Sequence, residues 1–192
     1  MILGLPKSVE IDGVDYAVRY DYRVIVEICI ALEDVELTEQ EKAIAALAMF
    51  YPNVEQIPAE RLQEAVERCI WFINCGQPED KQKSPRLVDW EQDFQHIVSP
   101  VNRVLGQEIR SIPYDLERNT EGLHWWTFIS AYNEIGGDCV FAQIVRTRNK
   151  LARGKKLDKQ DSEWYKQNRN LVDFRRKYTD GENDVLKQWG AK

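Results

Sequence analysis

No run in this 192-residue chain approaches the roughly 18–20 apolar residues that a membrane-spanning helix needs. The best stretch, residues 24–32, is short and is broken by Glu27. The first residues, Met1-Ile2-Leu3-Gly4-Leu5-Pro6, have neither a basic region nor a long apolar segment, so no signal peptide is expected. The four cysteines (Cys29, Cys69, Cys75 and Cys139) include no C-x-x-C pair, and nothing is spaced like zinc ligands. They read as small core side chains in a reducing compartment. There are two histidines, His96 and His124, and no G-x-G-x-x-G, phosphate-loop or G-x-S-x-G motif. These absences point away from an enzyme, and no catalytic residue, cofactor or metal is expected. Neither an internal repeat nor a low-complexity tract is present.

What is present is enough for a real core. Hydrophobic residues make up 43% of the chain and aromatics 10%, which supports one well-buried domain, or a domain with an appendage. Charge is uneven. Residues 1–145 carry 12 basic and 25 acidic side chains, net −13, whereas residues 146–178 carry 12 basic and 4 acidic, net +8. The pattern suggests a basic arm on an acidic body, a division expected at 1–150 and 151–192. A solvated charged helix resting on the acidic body of its own or a neighbouring copy gives the same pattern.

The predicted elements are mostly helical. Residues 8–11 and 16–18 flank Asp12-Gly13, a strong hairpin signal. Asp21 is a candidate cap for a helix reaching about residue 32, although Val24, Ile25, Val26, Ile28 and Ile30 would also suit a buried strand. Thr38-Glu39-Gln40-Glu41 is a capping box, and the helix it opens should bury Ala43, Ile44, Leu47, Ala48 and Tyr51 before Pro52. Leu62, Ala65, Val66, Cys69, Ile70 and Ile73 have the cleanest helical period, after a start at Pro58. Asp89 caps a further helix, which Pro100 should kink. A tryptophan-bearing helix is expected over about 121–135, ending at Gly136-Gly137, and another from Asp138 to the break at Gly154. A last amphipathic helix should cover about 159–178, with Trp164, Leu171, Phe174 and Tyr178 on one side. The fold class is therefore mainly α: a helical domain with a small N-terminal β-hairpin and a basic C-terminal helical arm.

Two features stand out as candidate binding residues. Trp125 and Trp126 point about 100° apart on a helix, so they cannot share one narrow face. Either the helix is buried on two sides or one indole meets a partner. His124 beside them reads as a cap or hydrogen-bonding residue. The second feature is the basic stretch with Arg146, Arg148, Lys155, Lys156 and the interleaved Trp164, which reads as a surface for a protein partner. Trp164-Tyr165 among lysines and arginines could also stack on nucleic acid, but the acidic net charge of −6 disfavours that. A marginal hairpin and an oppositely charged arm together favour association between copies, as a dimer or a ring.

The hairpin start, Trp71-Phe72 leading to Cys75-Gly76, the run Leu-His-Trp-Trp-x-Phe, Gln143-Ile144-Val145-Arg146-x-Arg148, and the segment from Lys155-Lys156 through Glu163-Trp164-Tyr165 together resemble one family. It is the bacteriophage "gene product fifteen" family of long-tailed phages and prophages of Gram-positive bacteria. The resemblance spans nearly the whole chain, is strongest over 123–173, and owes nothing to 106–121. It implies a gene of the tail module and a tail assembly chaperone acting in the cytoplasm of the bacterial host. Such a protein would keep the long tape-measure protein soluble and give way as tail tube subunits polymerise. The family brings no catalytic residues to carry over. The alternatives are a minor structural component of the virion and a nucleic-acid-binding protein of the packaging machinery.

Overall fold

The computed structural model describes residues 4–78 and 84–175. Strands β1 (Ser8–Ile11) and β2 (Val14–Ala17) pair antiparallel, with Ile11 opposite Val14 and Ser8 opposite Ala17. The turn residues Asp12 and Gly13 have φ of 49° and 78°, the double positive φ of the two-residue turn that matches strand twist. Alternation places Val9 and Ile11 in the core, while Ser8, Glu10, Asp15 and Ala17 face solvent.

Helix α1 (Tyr22–Leu32) forms despite its β-branched residues, so the strand alternative falls. Asp21 accepts the Arg23 amide as N-cap, and Tyr22, Ile25, Val26 and Ile28 are buried. Burial of this kind outweighs a few tenths of a kcal/mol of propensity per residue. Helix α2 (Glu39–Phe50) opens with the expected capping box, Thr38 and Glu41 reciprocally bonded. Its inward face differs from expectation: Ile44 is 60% exposed and Ala48 is also exposed, while Ala46, Leu47 and Phe50 are buried. Phe50, the largest side chain of the helix, settles the rotation by packing its ring against Tyr51 and Phe72.

Helix α3 (Leu62–Ile73) follows a short 3-10 turn after Pro58 and buries Ala65, Cys69 and Phe72. Helix α4 (Trp90–Leu105) is capped by Asp89 and ends at Gly106 in the left-handed conformation. Pro100 is buried inside it, and the helix continues past the proline rather than dividing there.

The segment 106–121 gains a turn of 3-10 helix and a two-residue ladder, β3 (Tyr114–Asp115) with β4 (Thr120–Glu121). That ladder delays the tryptophan helix: α5 spans Trp125–Asn133 instead of starting near 121. Helix α6 (Val140–Ala152) ends just before Gly154, as expected. The expected single helix over 159–178 is two, α7 (Lys159–Gln167) and α8 (Arg169–Val172), divided at Asn168. Tyr178 and the last residues lie outside the described ones. The buried side chains of the hairpin and α1 through α6 form one core. Among the described residues, no helix is long and apolar enough to cross a membrane.

Candidate functional site

The tryptophan pair is placed by two helix starts stitched together. Asp21, fully buried, caps α1 and also accepts the Leu123 amide at 2.8 Å. Its backbone neighbours complete the seam: the Tyr22 amide donates to the Leu123 carbonyl, and the Trp125 amide to the Tyr20 carbonyl. Arg23 binds the Asp21 carboxylate and the carbonyls of Ile109 and Ile112. Gly122 sits at φ 82°, and a Cβ there would lie 2.4 Å from an Asp21 carboxylate oxygen. A side chain at position 122 would thus strain the backbone and collide with the cap.

His124 caps α5, as its position suggested. Its Nδ1 accepts the Trp126 amide, and its Nε2 lies 2.8 Å from the Pro6 carbonyl. One neutral tautomer satisfies both contacts, with Nε2 carrying the proton. Burial lowers its pKa; the Pro6 carbonyl pulls upward less strongly, and nearby Lys7 adds a smaller push down.

The two indoles share a task on α3. The Trp125 Nε1–H donates to the Ile73 carbonyl and the Trp126 Nε1–H to the Phe72 carbonyl, each at 2.9 Å. Carbonyls in a last helical turn lack intrahelical partners, so consecutive tryptophans cap consecutive carbonyls. Trp125 is 1% exposed and packs on Phe128 and Trp90. Trp126 is half-buried and meets Trp71 edge to face at 5.7 Å.

The basic stretch does not form one surface. Arg148, expected among the exposed charges, is 4% exposed. Its guanidinium grips the buried Asp93 carboxylate with both terminal nitrogens, one contact measuring 3.0 Å. The remaining N–H groups donate to the carbonyls of Val172, Leu87 and Leu171 at 2.7–2.9 Å, so all five donors are used. Phe174 lies over the guanidinium with its ring centroid 4.2 Å away. Gln92 adds bonds to the Leu171 and Asp173 carbonyls and accepts the Arg175 amide. Residues 171–175 are thereby fastened to α4 and α6, with Val172 buried.

The other candidates sit outside that node. Arg146 is exposed and donates to the Gly137 carbonyl. Lys155 and Lys156 are exposed in the loop after α6, and Trp164 is half-buried on α7. The structure thus joins Trp125 to Trp126 at the end of α3, places Arg148 with Asp93, and leaves Arg146, Lys155 and Lys156 on the surface. Among the described residues, no group of three or more His, Cys, Asp or Glu could hold a metal ion. Burial pushes the Cys29 and Cys69 thiols up to about 12, so neither is a ready thiolate nucleophile.

One feature escaped the sequence. Between α1 and α4 lies an open cleft of 430 Å³ whose apolar lining is Tyr22, Val26, Ile30, Trp90 and Phe94. Arg23, Glu27, Glu91 and Arg110 rim it. Its apolar lining comes from two helices whose contact cannot be read from either helix alone.

The family model for the Bacteriophage Gp15 protein matches residues 2–174 of this chain. Neither the curated proteins nor the solved structures include a match.

Proposed function

The chain belongs to the Bacteriophage Gp15 protein family, and from that premise we propose that it is a non-enzymatic tail assembly chaperone that binds the tape-measure protein in the host cytoplasm. The observation that carries this reading is the apolar cleft between α1 and α4. Concave, aromatic-lined grooves with charged rims suit an amphipathic helix, whose apolar anchors enter the groove while its polar face stays wet. A tape-measure protein is long, helical and prone to aggregate alone, so it supplies such helices. Trp126, half-buried, is a second contact point of the residue type enriched at binding hot spots.

Co-expression with the cognate tape-measure protein tests the proposal. This chain should raise the soluble fraction of the tape-measure protein and copurify with it. Ile30→Glu, a charge placed on the cleft wall, should abolish both effects while the far-UV spectrum stays unchanged. A tape-measure protein equally insoluble with and without this chain would sink the reading. Retention of the chain in purified particles would favour a structural virion component instead.

A further inference from the structure

The outer edge of the hairpin is unspent. In a hairpin with a two-residue turn, the residues flanking the turn form a hydrogen-bonded pair and pairs alternate from there. The amide and carbonyl of Asp15 and Ala17 therefore point away from β1. The rest of the chain confirms the register. The Val18 amide donates inward to the Lys7 carbonyl, and the Arg19 amide donates outward to the Phe50 carbonyl at 2.8 Å. Beyond Arg19 that edge has no further backbone partner among the described residues, and a cleft of 660 Å³ opens beside it, lined by Tyr16, Tyr51, Asn53 and Gln56. An edge strand of this kind is a template for another extended segment.

The loop after α6 has complementary features. Lys155, Lys156 and Asp158 are exposed, and Leu157 is half-buried. Residues 155–158 are in no helix or strand, and the main-chain groups of Lys156 and Leu157 make no hydrogen bond to other described residues. Arg153, Lys155, Lys156 and Lys159 make the neighbourhood of this loop basic, whereas Asp15 on β2, Glu10 opposite it on β1 and Glu55 between the cleft residues Asn53 and Gln56 set carboxylates beside the β2 edge, and Arg19 at its end is turned onto the carbonyls of Ala48, Met49 and Tyr51.

We infer that the occupant of the β2 edge is the basic loop 155–158 of a second copy of this chain. The contact is heterologous: one copy offers its edge and its neighbour offers its loop, so association propagates head to tail into a closed ring or an open filament. Main-chain hydrogen bonds to Asp15 and Ala17 supply the pairing, and the opposed charges supply orientation and encounter rate. The inference does not depend on the tape-measure reading, because it concerns the chain alone.

The test is sedimentation of the full chain, without any partner, over a range of concentration and salt. The mass should rise with concentration at low salt and fall towards the monomer at high salt, since surface attraction is screened over about 10 Å at 0.1 M. Asp15→Lys alone and Lys155→Glu/Lys156→Glu together should each lose association. An equimolar mixture of these two variants should regain it, because each mutated surface then meets the other's complement. Ala17→Pro removes an outward amide that β1 does not use, so it should lose association while keeping the circular dichroism of the parent. A parent that stays monomeric at low salt, or a mixture that fails to associate, overturns the inference. So does association that disappears on nuclease treatment, which would assign the basic loop to nucleic acid.

Discussion

Arg148 and Lys155 lie seven residues apart in one basic stretch and answer to different physics. Arg148 is enclosed, its five donors fixed by one carboxylate and three carbonyls, with an aromatic ring as a lid. Lys155 is exposed, with no ion pair to another described residue. Charge counted along a sequence merges the two. The first is a structural rivet that holds residues 171–175 to the body, and the second is available to a partner. The C-terminal segment is therefore an acidic body's own strap as far as Arg175, with exposed positive charge concentrated in the loop before α7.

The largest expected effect strikes the rivet. Arg148→Ala leaves the Asp93 carboxylate buried without its counter-charge, which typically costs about 3–5 kcal/mol. Chemical denaturation should show a loss of that order. Arg148→Met with Asp93→Leu should recover much of it, because replacing a buried pair by apolar groups of similar volume is often neutral. If Arg148→Ala proves as stable as the parent, the contrast between the two basic sites disappears.

The tryptophans repeat the contrast. Trp125→Ala empties a fully enclosed site and should cost about 3–5 kcal/mol. Trp126→Ala leaves a partly solvated gap and frees the Phe72 carbonyl, which still accepts the Cys75 amide. It should cost about half as much, and copurification with the tape-measure protein should suffer more than folding does. Equal losses of stability from both would mean that the half-buried indole is as much core as its neighbour.

Much of this was legible in the sequence, and the reason is local. The Asp21, Thr38 and Asp89 caps, the Asp12-Gly13 turn and the Gly154 break are set by residues a few positions apart. The late start of α5 was not legible, because it depends on a ladder between Tyr114–Asp115 and Thr120–Glu121 and on the approach of Asp21 to Gly122. Arg148 left a readable signal that charge counting overrode. It continues the stripe of Phe141, Ile144 and Val145 on α6, and Asp93 continues the stripe of Trp90, Phe94 and Ile97 on α4. Opposite charges, each on the apolar stripe of its own helix, are the mark of a buried pair. The α1–α4 cleft left no such mark, since it is a gap between elements.

A smaller effect is expected from pH at His124, the cap that joins the N-terminal segment to α5. Burial holds its pKa below the ordinary 6.5. As pH falls through about 6.5, the unfolded chain takes up the proton before the folded one does, so stability is lost. The contribution is complete above that value and declines towards the lower folded pKa. A second proton on the ring would also point the Nδ1–H at the Trp126 amide it now accepts. Thermal melts between pH 7 and pH 5 should therefore fall more steeply for the parent than for His124→Asn, which keeps a capping oxygen and does not titrate. Parallel curves would assign the acid sensitivity to other groups.

The smallest expected effect completes the comparison that began with Arg148. Lys155→Glu/Lys156→Glu changes the net charge of the loop by four units, yet it touches no buried partner and no backbone bond. Exposed charges of this kind contribute about 0–1 kcal/mol to folding. The melting temperature of the variant should match that of the parent within about a degree. The measurement needs dilute protein and moderate salt, because a parent that associates is stabilised by mass action, and an apparent loss in the variant would then report lost contacts between copies. Under those conditions Arg148→Ala and the double lysine variant should separate cleanly, one failing in folding and the other in association. A large drop in the intrinsic stability of the lysine variant would mean that residues 155–156 brace the body after all, and the division of the basic stretch into rivet and contact surface would have to be withdrawn.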